Sequence, residues 1–289
     1  MPSLKDIRKR IASVRNMQQI TKAMKMVAAA KLRRAQDAML QARPYAETIE
    51  QVLSGVTVRT DEAAHPLLQR RPLRRVELLV MTSDRGLCGG FNSNVLRRAQ
   101  RFLYENADNY ERIQVSTIGR RGRDFFRARN IPTRKDYPGV FEELTFDKAK
   151  TIAEELAAAY LDDQLDAVFL LYNRFQSAIS QVPTVVQLLP INANSASEDE
   201  KSQLVDFIYE PSREVVLDQL LPKHLAMQVW RALLESVASE HGARMAAMEA
   251  ATKNSSELID KLRLEYNRAR QAYITKELSE IVSGAEALK

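Results

Sequence analysis

Apolar residues recur with a seven-residue period along both ends of this chain, and this pattern constrains the fold more than any other feature. At the amino end the period runs from Leu4 to Val56, and at the carboxyl end from Met227 to Ile281. A spacing of 3.5 residues keeps one face of a helix against a partner, as in coiled coils. We therefore expect one long amphipathic helix at each end, and the two helices can pack on each other.

The two predicted helices are too long for a compact domain. At 1.5 Å per residue they would extend on the order of 80 and 90 Å. The chain has 289 residues, of which 45% are hydrophobic and 28% charged, which is enough for one globular core plus an extended element. Much of the helical length is expected to protrude from that core.

Positive charge is concentrated at the amino end. Residues 1–43 contain eleven Lys or Arg against Asp6 and Asp37, whereas the remainder of the chain is slightly acidic. A basic helix can bind nucleic acid, fit an acidic protein socket, or simply remain solvated. Composition alone leaves all three interpretations open.

Several classes of protein are disfavoured by composition. The single Cys88 excludes an internal disulfide and a cysteine zinc cluster, and it indicates a reducing compartment. No 18-residue uncharged apolar run is present, so we expect no membrane span. The amino end is basic and amphipathic like a transit peptide, but it continues into the heptad pattern, which favours a place in the mature protein.

The middle of the chain has an α/β pattern. Apolar strands alternate with amphipathic helices, which predicts a parallel, layered sheet. Strands are expected at 76–82, 114–118 and 167–172, helices at 93–104, 120–129 and 146–161, and further extended segments at 182–189 and 204–209. Pro183 places the segment 182–189 near a sheet edge.

No convincing catalytic, cofactor or metal constellation is found in the sequence. The loop 83–92, SDRGLCGGFN, could offer amides to a phosphate, but it matches neither GxGxxG nor the Walker pattern, and glycines there suit a tight turn. Cys88 is better read as a small buried thiol than as a nucleophile, because the three histidines lie in distant segments. Neighbouring acidic residues point to different helix faces, and no ligand spacing for a metal is present.

Five motifs along the chain point to a known family. They are ITKAMKMVAAAKLRRAQ (20–36), RPYAE (43–47), SDRGLCGGF (83–91), SQVPTVVQLLP (180–190) and NRARQAYITKELSEIVSG (267–284). In this order, and over essentially the whole chain, they closely resemble the gamma subunit of bacterial F-type ATP synthases.

The resemblance implies an α/β fold class: a long antiparallel coiled coil of the N- and C-terminal helices plus a Rossmann-like α/β domain. The implied segments are 1–60, 70–210 and 212–286. The implied function is that of a non-catalytic central rotor stalk without cofactors, which couples proton flow to conformational cycling of the catalytic subunits. Implied partners are the alpha and beta subunits, the epsilon subunit and the c-ring, with no nucleic acid and no homo-oligomer, on the cytoplasmic face of the bacterial inner membrane.

The resemblance also carries over particular residues. Those expected to contact the beta subunits are Met24, Lys25, Arg244, Arg270, Gln271, Thr275, Glu277 and Glu280. Those expected to contact the c-ring or epsilon are Phe207, Tyr209 and Glu210. Met24 is expected to face the C-terminal contact band from the first helix. For each position, an ordinary solvated helix face or strand end is the alternative.

Three polar residues interrupt the amino-terminal seam within the expected contact zone. Gln18, Thr21 and Lys25 occupy heptad positions, and at the same level the apolar stripe is offset to Met17, Ile20, Met24 and Val27. We expect loosened packing here, with the polar groups pointing outward.

Two other classes of function stay open at this stage. A nucleic-acid-binding coiled coil would bind DNA with a steep salt dependence. A nucleotide-dependent enzyme built on the α/β domain would bind its ligand saturably as an isolated protein.

Overall fold

A computed structural model describes residues 3–57, 65–191 and 212–287 of the chain. The helices are α1 (Leu4–Thr57), α2 (Phe91–Glu105), α3 (Arg120–Arg127), α4 (Phe146–Leu161) and α5 (Arg213–Ala287). The strands are β1 (Arg75–Met81), β2 (Arg112–Ile118), β3 (Thr133–Tyr137), β4 (Ala167–Phe175) and β5 (Gln181–Leu189). The predicted extended segment 204–209 lies outside the described residues.

The chain divides into two compact units. The helix-pair unit contains Met1–Ala28 and Met245–Lys289, and the α/β unit contains Ala29–Arg244. Both boundaries fall inside a helix, because α1 and α5 are each described as one continuous element. The assignment of segments 1–60, 70–210 and 212–286 to separate domains stays a prediction.

In the helix-pair unit, α1 and α5 run antiparallel. The cross-helix contacts are Arg8 with Tyr266 (2.8 Å), Gln18 with Ser256 (2.5 Å), Thr21 with Thr252 (2.8 Å) and Lys25 with Glu249 (2.6 Å). Residue numbers therefore rise along one helix as they fall along the other. Ile7 and Leu262 are among the apolar residues buried in this unit. The predicted antiparallel coiled coil is confirmed.

The α/β unit is built on a five-stranded sheet in the order β3-β2-β1-β4-β5. The first four strands are parallel, and β5 runs antiparallel to β4 at one edge. The Rossmann-like fold class is confirmed, and the strands that alternate with helices are parallel as predicted, whereas the added edge strand β5 is antiparallel. A short connection, residues 176–180, joins β4 to β5, and such a connection permits only antiparallel pairing. The edge position agrees with Pro183.

Helices cover both faces of this sheet. Alternate residues of a strand point to opposite faces, so Leu78 and Val80 of β1 pack against α2 and α3. Leu79 and Met81 pack in a second core that includes residues of α4 and α5.

Strand β3 was not anticipated from the sequence. Its residues, TRKDY, form no apolar run, and none of them is fully buried. Edge strands commonly carry charged residues, which discourage pairing with other chains, so the apolar signal is weak there.

Candidate partner-binding surfaces

The polar residues of the α1 seam point toward α5, not outward as expected. Thr21 is only 8% exposed, and its hydroxyl lies 2.8 Å from that of Thr252. By contrast Met17, Ile20 and Val27 are between 56% and 60% exposed. The heptad frame therefore continues without an offset, and the seam turns polar. This arrangement is stable because one hydroxyl can donate to the other, and the remaining proton can go to a backbone carbonyl of its own helix.

An open groove accompanies this polar seam. Its volume is about 630 Å³, and its walls include Lys22, Lys25, Lys253 and Glu249. The Lys25 ammonium lies 2.6 Å from the Glu249 carboxylate, and both side chains remain substantially exposed, at 39% and 62%. Such an exposed pair leaves Lys25 available to an acidic partner at little cost.

The carboxyl-terminal part of α5 has an entirely exposed surface. Every residue from 271 to 283 is exposed, including five large apolar residues: Tyr273, Ile274, Leu278, Ile281 and Val282. Ile274, Leu278 and Ile281 have the i, i+4, i+7 spacing that places residues on one helix face. Among the described residues, none covers this face. We call residues 271–283 the free end of α5.

Most residues predicted to contact beta lie on or next to the free end. These are Arg270, Gln271, Thr275, Glu277 and Glu280. Their bonds in the structure are local to the helix: the Thr275 hydroxyl donates to the Gln271 carbonyl at 3.0 Å, and Lys276 lies 3.5 Å from Glu280. A hydrogen bond to Glu277 raises the pKa of Tyr273. The side chains therefore remain accessible.

The structure does not place Met24 opposite these residues. Its neighbours in α1, Thr21 and Lys25, pair with Thr252 and Glu249. Gln271 lies 22 residues beyond Glu249 in α5, which is about 33 Å at 1.5 Å per residue. The expectation that Met24 faces the C-terminal band is wrong, because the antiparallel register sets it many helical turns away.

Arg244 belongs to the α/β unit and is largely buried there. Its side chain is 12% exposed, and its Nη2 lies 2.7 Å from Glu240 Oε1 and 3.2 Å from the Gly86 carbonyl oxygen. Burial raises the pKa of Glu240, although Arg244 opposes this effect. Sequence reasoning treated Arg244 as a contact to the beta subunits and missed its bond to the loop after β1. Only the folded arrangement brings these residues together.

The glycine-containing loop after β1 is closed by its own contacts. The Ser83 amide donates to Asn92 Oδ1, and the Phe91 amide donates to the Cys88 carbonyl. Cys88 is 2% exposed and packs with Phe91 and Ala243. Burial raises the pKa of the Cys88 thiol, which disfavours the reactive thiolate. Cys88 is confirmed as a small buried thiol.

Helix α5 fills the crevice where a doubly wound sheet normally binds ligands. That crevice lies at the carboxyl ends of the strands where the strand order reverses, here between β1 and β4. Ser239 of α5 donates to the Asn173 carbonyl at the end of β4, and Arg244 donates to the Gly86 carbonyl after β1. These contacts place α5 across that crevice. Across residues 3–57, 65–191 and 212–287, no group of His, Cys, Asp or Glu is arranged to hold a metal.

Two further observations concern the predicted contacts to the c-ring or epsilon and the expectation of no membrane span. Phe207, Tyr209 and Glu210 lie outside the described residues. Within the part of the chain that the structure describes, no helix is both long enough and apolar enough to span a bilayer.

Two features together are typical of a stalk subunit. One is an antiparallel helix pair with an exposed end, and the other is an α/β domain whose usual ligand crevice is occupied by its own helix α5. Comparison with known proteins gives its family. A family model described as ATP synthase matches residues 3–288. The chain is 64% identical to an ATP synthase gamma chain from Anaeromyxobacter sp. (strain Fw109-5) and 51% identical to one from Geobacter metallireducens, each over the full length of both chains.

Solved structures agree in fold. The chain is similar to a central-stalk chain of the Tetrahymena thermophila mitochondrial ATP synthase, with 28% identity and a TM-score of 0.61 over 80% of this chain and 99% of that one. A chain of the Euglena gracilis enzyme gives a TM-score of 0.71 at 21% identity, covering 99% of this chain and 94% of that one. The chain belongs to the ATP synthase gamma chain family and is a non-catalytic subunit of that complex.

Proposed function

We propose that this chain is the central rotor stalk of a bacterial F-type ATP synthase. It couples proton flow through the c-ring to conformational cycling of the catalytic beta subunits, in ATP synthesis or in ATP-driven proton pumping. The full-length identity of 64% to a bacterial gamma chain supports this assignment.

The free end of α5 is the observation that carries the proposal. Thirteen consecutive exposed residues, 271–283, with an apolar stripe along one face, are costly in water unless a partner covers them. A socket inside a ring of alternating alpha and beta subunits would cover that stripe. The polar groups of Gln271 and Thr275 would then meet beta.

The stalk would act through unequal contacts. Three identical beta subunits surround one helix pair, whose sides differ, so each beta subunit has a different contact free energy with it. Rotation of the helix pair changes which beta subunit has which contact, and each conformation is selected in turn. The bond-forming chemistry remains in beta.

Individual contacts have different degrees of support. Exposure supports six residues as contacts to beta: Lys25, Arg270, Gln271, Thr275, Glu277 and Glu280. Met24 is half-buried and stays a proposed contact. Arg244 stays in the proposal as a candidate for beta. Two of its nitrogens, however, are already within hydrogen-bond distance of groups in the α/β unit.

The assignments of the c-ring contacts, the segments and the cellular location are based on the resemblance to the gamma chain family. Phe207, Tyr209 and Glu210 are proposed to meet the c-ring or epsilon. Segments 1–60 and 212–286 are proposed as the stalk and segment 70–210 as its base. The complex would place the chain peripherally on the cytoplasmic face of the inner membrane.

Co-purification tests the assembly. Tagged chain is recovered from membranes washed at low salt, and alpha, beta and epsilon are expected with it. Recovery of the chain without these subunits, or with DNA that dissociates steeply with salt, would refute the proposal.

Alanine scanning tests the contacts. Lys25→Ala, Gln271→Ala and Thr275→Ala are expected to lower proton-driven ATP synthesis in inverted vesicles. Arg263→Ala is the matched control, because Arg263 is exposed on the paired part of α5 and bonds only to Asp260. Synthesis at the wild-type rate in all three variants would remove the support for these contacts.

A further inference from the structure

We infer that α5 is locked into the α/β unit by a clamp at the carboxyl edge of the sheet, and that this clamp carries torque between the domain and the helix. The inference rests on the proposed rotor function. The clamp consists of Ser239–Arg244 of α5, the loop 83–90 after β1 and the loop 176–180 after β4. We call it the carboxyl-edge clamp.

The first contact of the clamp is a close approach at Gly242. A Cβ atom at Gly242 would lie 3.1 Å from the Ala178 carbonyl oxygen and 3.2 Å from its Cα. These are backbone atoms, which cannot move aside like the end of a flexible side chain. The 176–180 loop therefore rests directly on the helix, and any larger residue at position 242 would have to push the loop backbone away.

The second contact lies at the loop after β1. Arg244 Nη2 donates to the Gly86 carbonyl at 3.2 Å and lies 2.7 Å from Glu240 Oε1. Both side chains are nearly buried, at 12% and 8% exposure. Charge-assisted hydrogen bonds of this kind are directional and stronger than neutral ones. Ala243 packs beside them against Cys88 and Phe91.

The third contact joins the helix to β4 and α2. The Ser239 hydroxyl donates to the backbone carbonyl of Asn173 at 2.9 Å. The side-chain amide of Asn173 in turn donates to the backbone carbonyl of Phe91 at 3.2 Å. All of these groups are buried. One chain of hydrogen bonds therefore connects α5 to the end of β4 and the start of α2.

Directional contacts matter because torque acts about the helix axis. Apolar packing holds the preceding part of α5 in the core, and the clamp adds directional hydrogen bonds where α5 leaves the sheet. The clamp opposes rotation from two loops, one after β1 and one after β4, and α5 continues beyond it to Ala287. A torque applied to the domain is thereby passed to the helix with little slip.

Breaking the clamp in the complete ATP synthase tests the inference. Arg244→Met and Gly242→Leu are expected to lower the number of protons pumped per ATP hydrolysed by about twofold or more in inverted vesicles. Arg231→Met is the matched control, because Arg231 forms a similar i,i+4 pair with Glu235 but makes no bond to either loop. Pumping ratios like wild type in fully assembled Arg244→Met and Gly242→Leu complexes would overturn the clamp.

A disulfide distinguishes the clamp from a role of Arg244 at beta. Ala243→Cys places a second thiol in the cluster that contains Cys88. In the Arg244→Met background, oxidation is expected to restore the pumping ratio, and reduction to remove it again. Failure to restore coupling once the disulfide is verified would overturn the clamp. Failure of the chain to enter the complex at all, in the wild type, would instead refute the rotor function.

Discussion

The hydroxyl groups of Thr21 and Thr252 lie 2.8 Å apart across the antiparallel helix pair, in a seam where coiled coils usually carry apolar residues. Each hydroxyl also lies within hydrogen-bond distance of a carbonyl of its own helix, that of Gln18 or Met248. The polar seam is thus hydrogen-bonded within the helix pair itself. Its residues align the two helices and leave the apolar Ile20 exposed on the outside.

Replacing both threonines with valine tests this pairing. Thr21→Val with Thr252→Val removes both hydroxyls and keeps the side-chain shape, so the free energy of unfolding is expected to change by less than about 1 kcal/mol. Denaturant unfolding measures it. A loss of more than about 2 kcal/mol would show that the hydroxyls stabilise the pair more than the structure indicates.

The ion pair between Lys25 and Glu249 should contribute little to stability. Both side chains are substantially exposed, so water screens the attraction. We expect Lys25→Gln to change the free energy of unfolding by less than about 1 kcal/mol, and a double-mutant cycle with Glu249→Gln to give a coupling of similar size. A larger coupling would contradict the exposed position of the pair.

The buried pair between Glu77 and Arg134 should behave differently. Glu77 is fully buried in β1, and Arg134 of β3 lies 2.7 Å from its Oε2. Arg134→Met would leave the carboxylate uncompensated and should destabilise the chain by about 3–5 kcal/mol, measured by denaturant unfolding. Adding Glu77→Leu should recover much of this loss. Equal instability of the single and double variants would argue against the pair.

Because two histidines are buried in the folded chain, we expect its free energy of unfolding to fall in mild acid. Burial lowers the pKa of both His224 and His241 from 6.5 to about 4. Protonation therefore favours the unfolded chain, so stability is full above pH 6.5 and falls between pH 6.5 and 4. The difference corresponds to at most roughly 3 kcal/mol per histidine. His224→Gln should flatten this slope and leave stability between pH 7 and 8 independent of pH. An unchanged slope in that variant would exclude His224 as a source.

Periodic features were predictable from the sequence, whereas polar contacts were not. The helix 146–161 matches α4, and the heptad pattern predicted α1 and the antiparallel partner that the resemblance implied. Strand β3 lacked an apolar signal. The orientation of Thr21 and the burial of Arg244 depend on partners more than 150 residues away, Thr252 and Gly86. A local pattern carries no information about such partners, so the seam was read as an offset and the bond from Arg244 to Gly86 was not foreseen.

Rotation of the α/β unit within the complex tests the central claim most directly. Ile179 is 86% exposed in the loop after β4, so Ile179→Cys in a Cys88→Ser background offers one site for a visible probe. The catalytic hexamer carrying this chain is immobilised, and ATP is added. The account predicts sustained rotation of the probe in one direction while ATP is hydrolysed. Steady hydrolysis by the assembled complex with a stationary probe would contradict it.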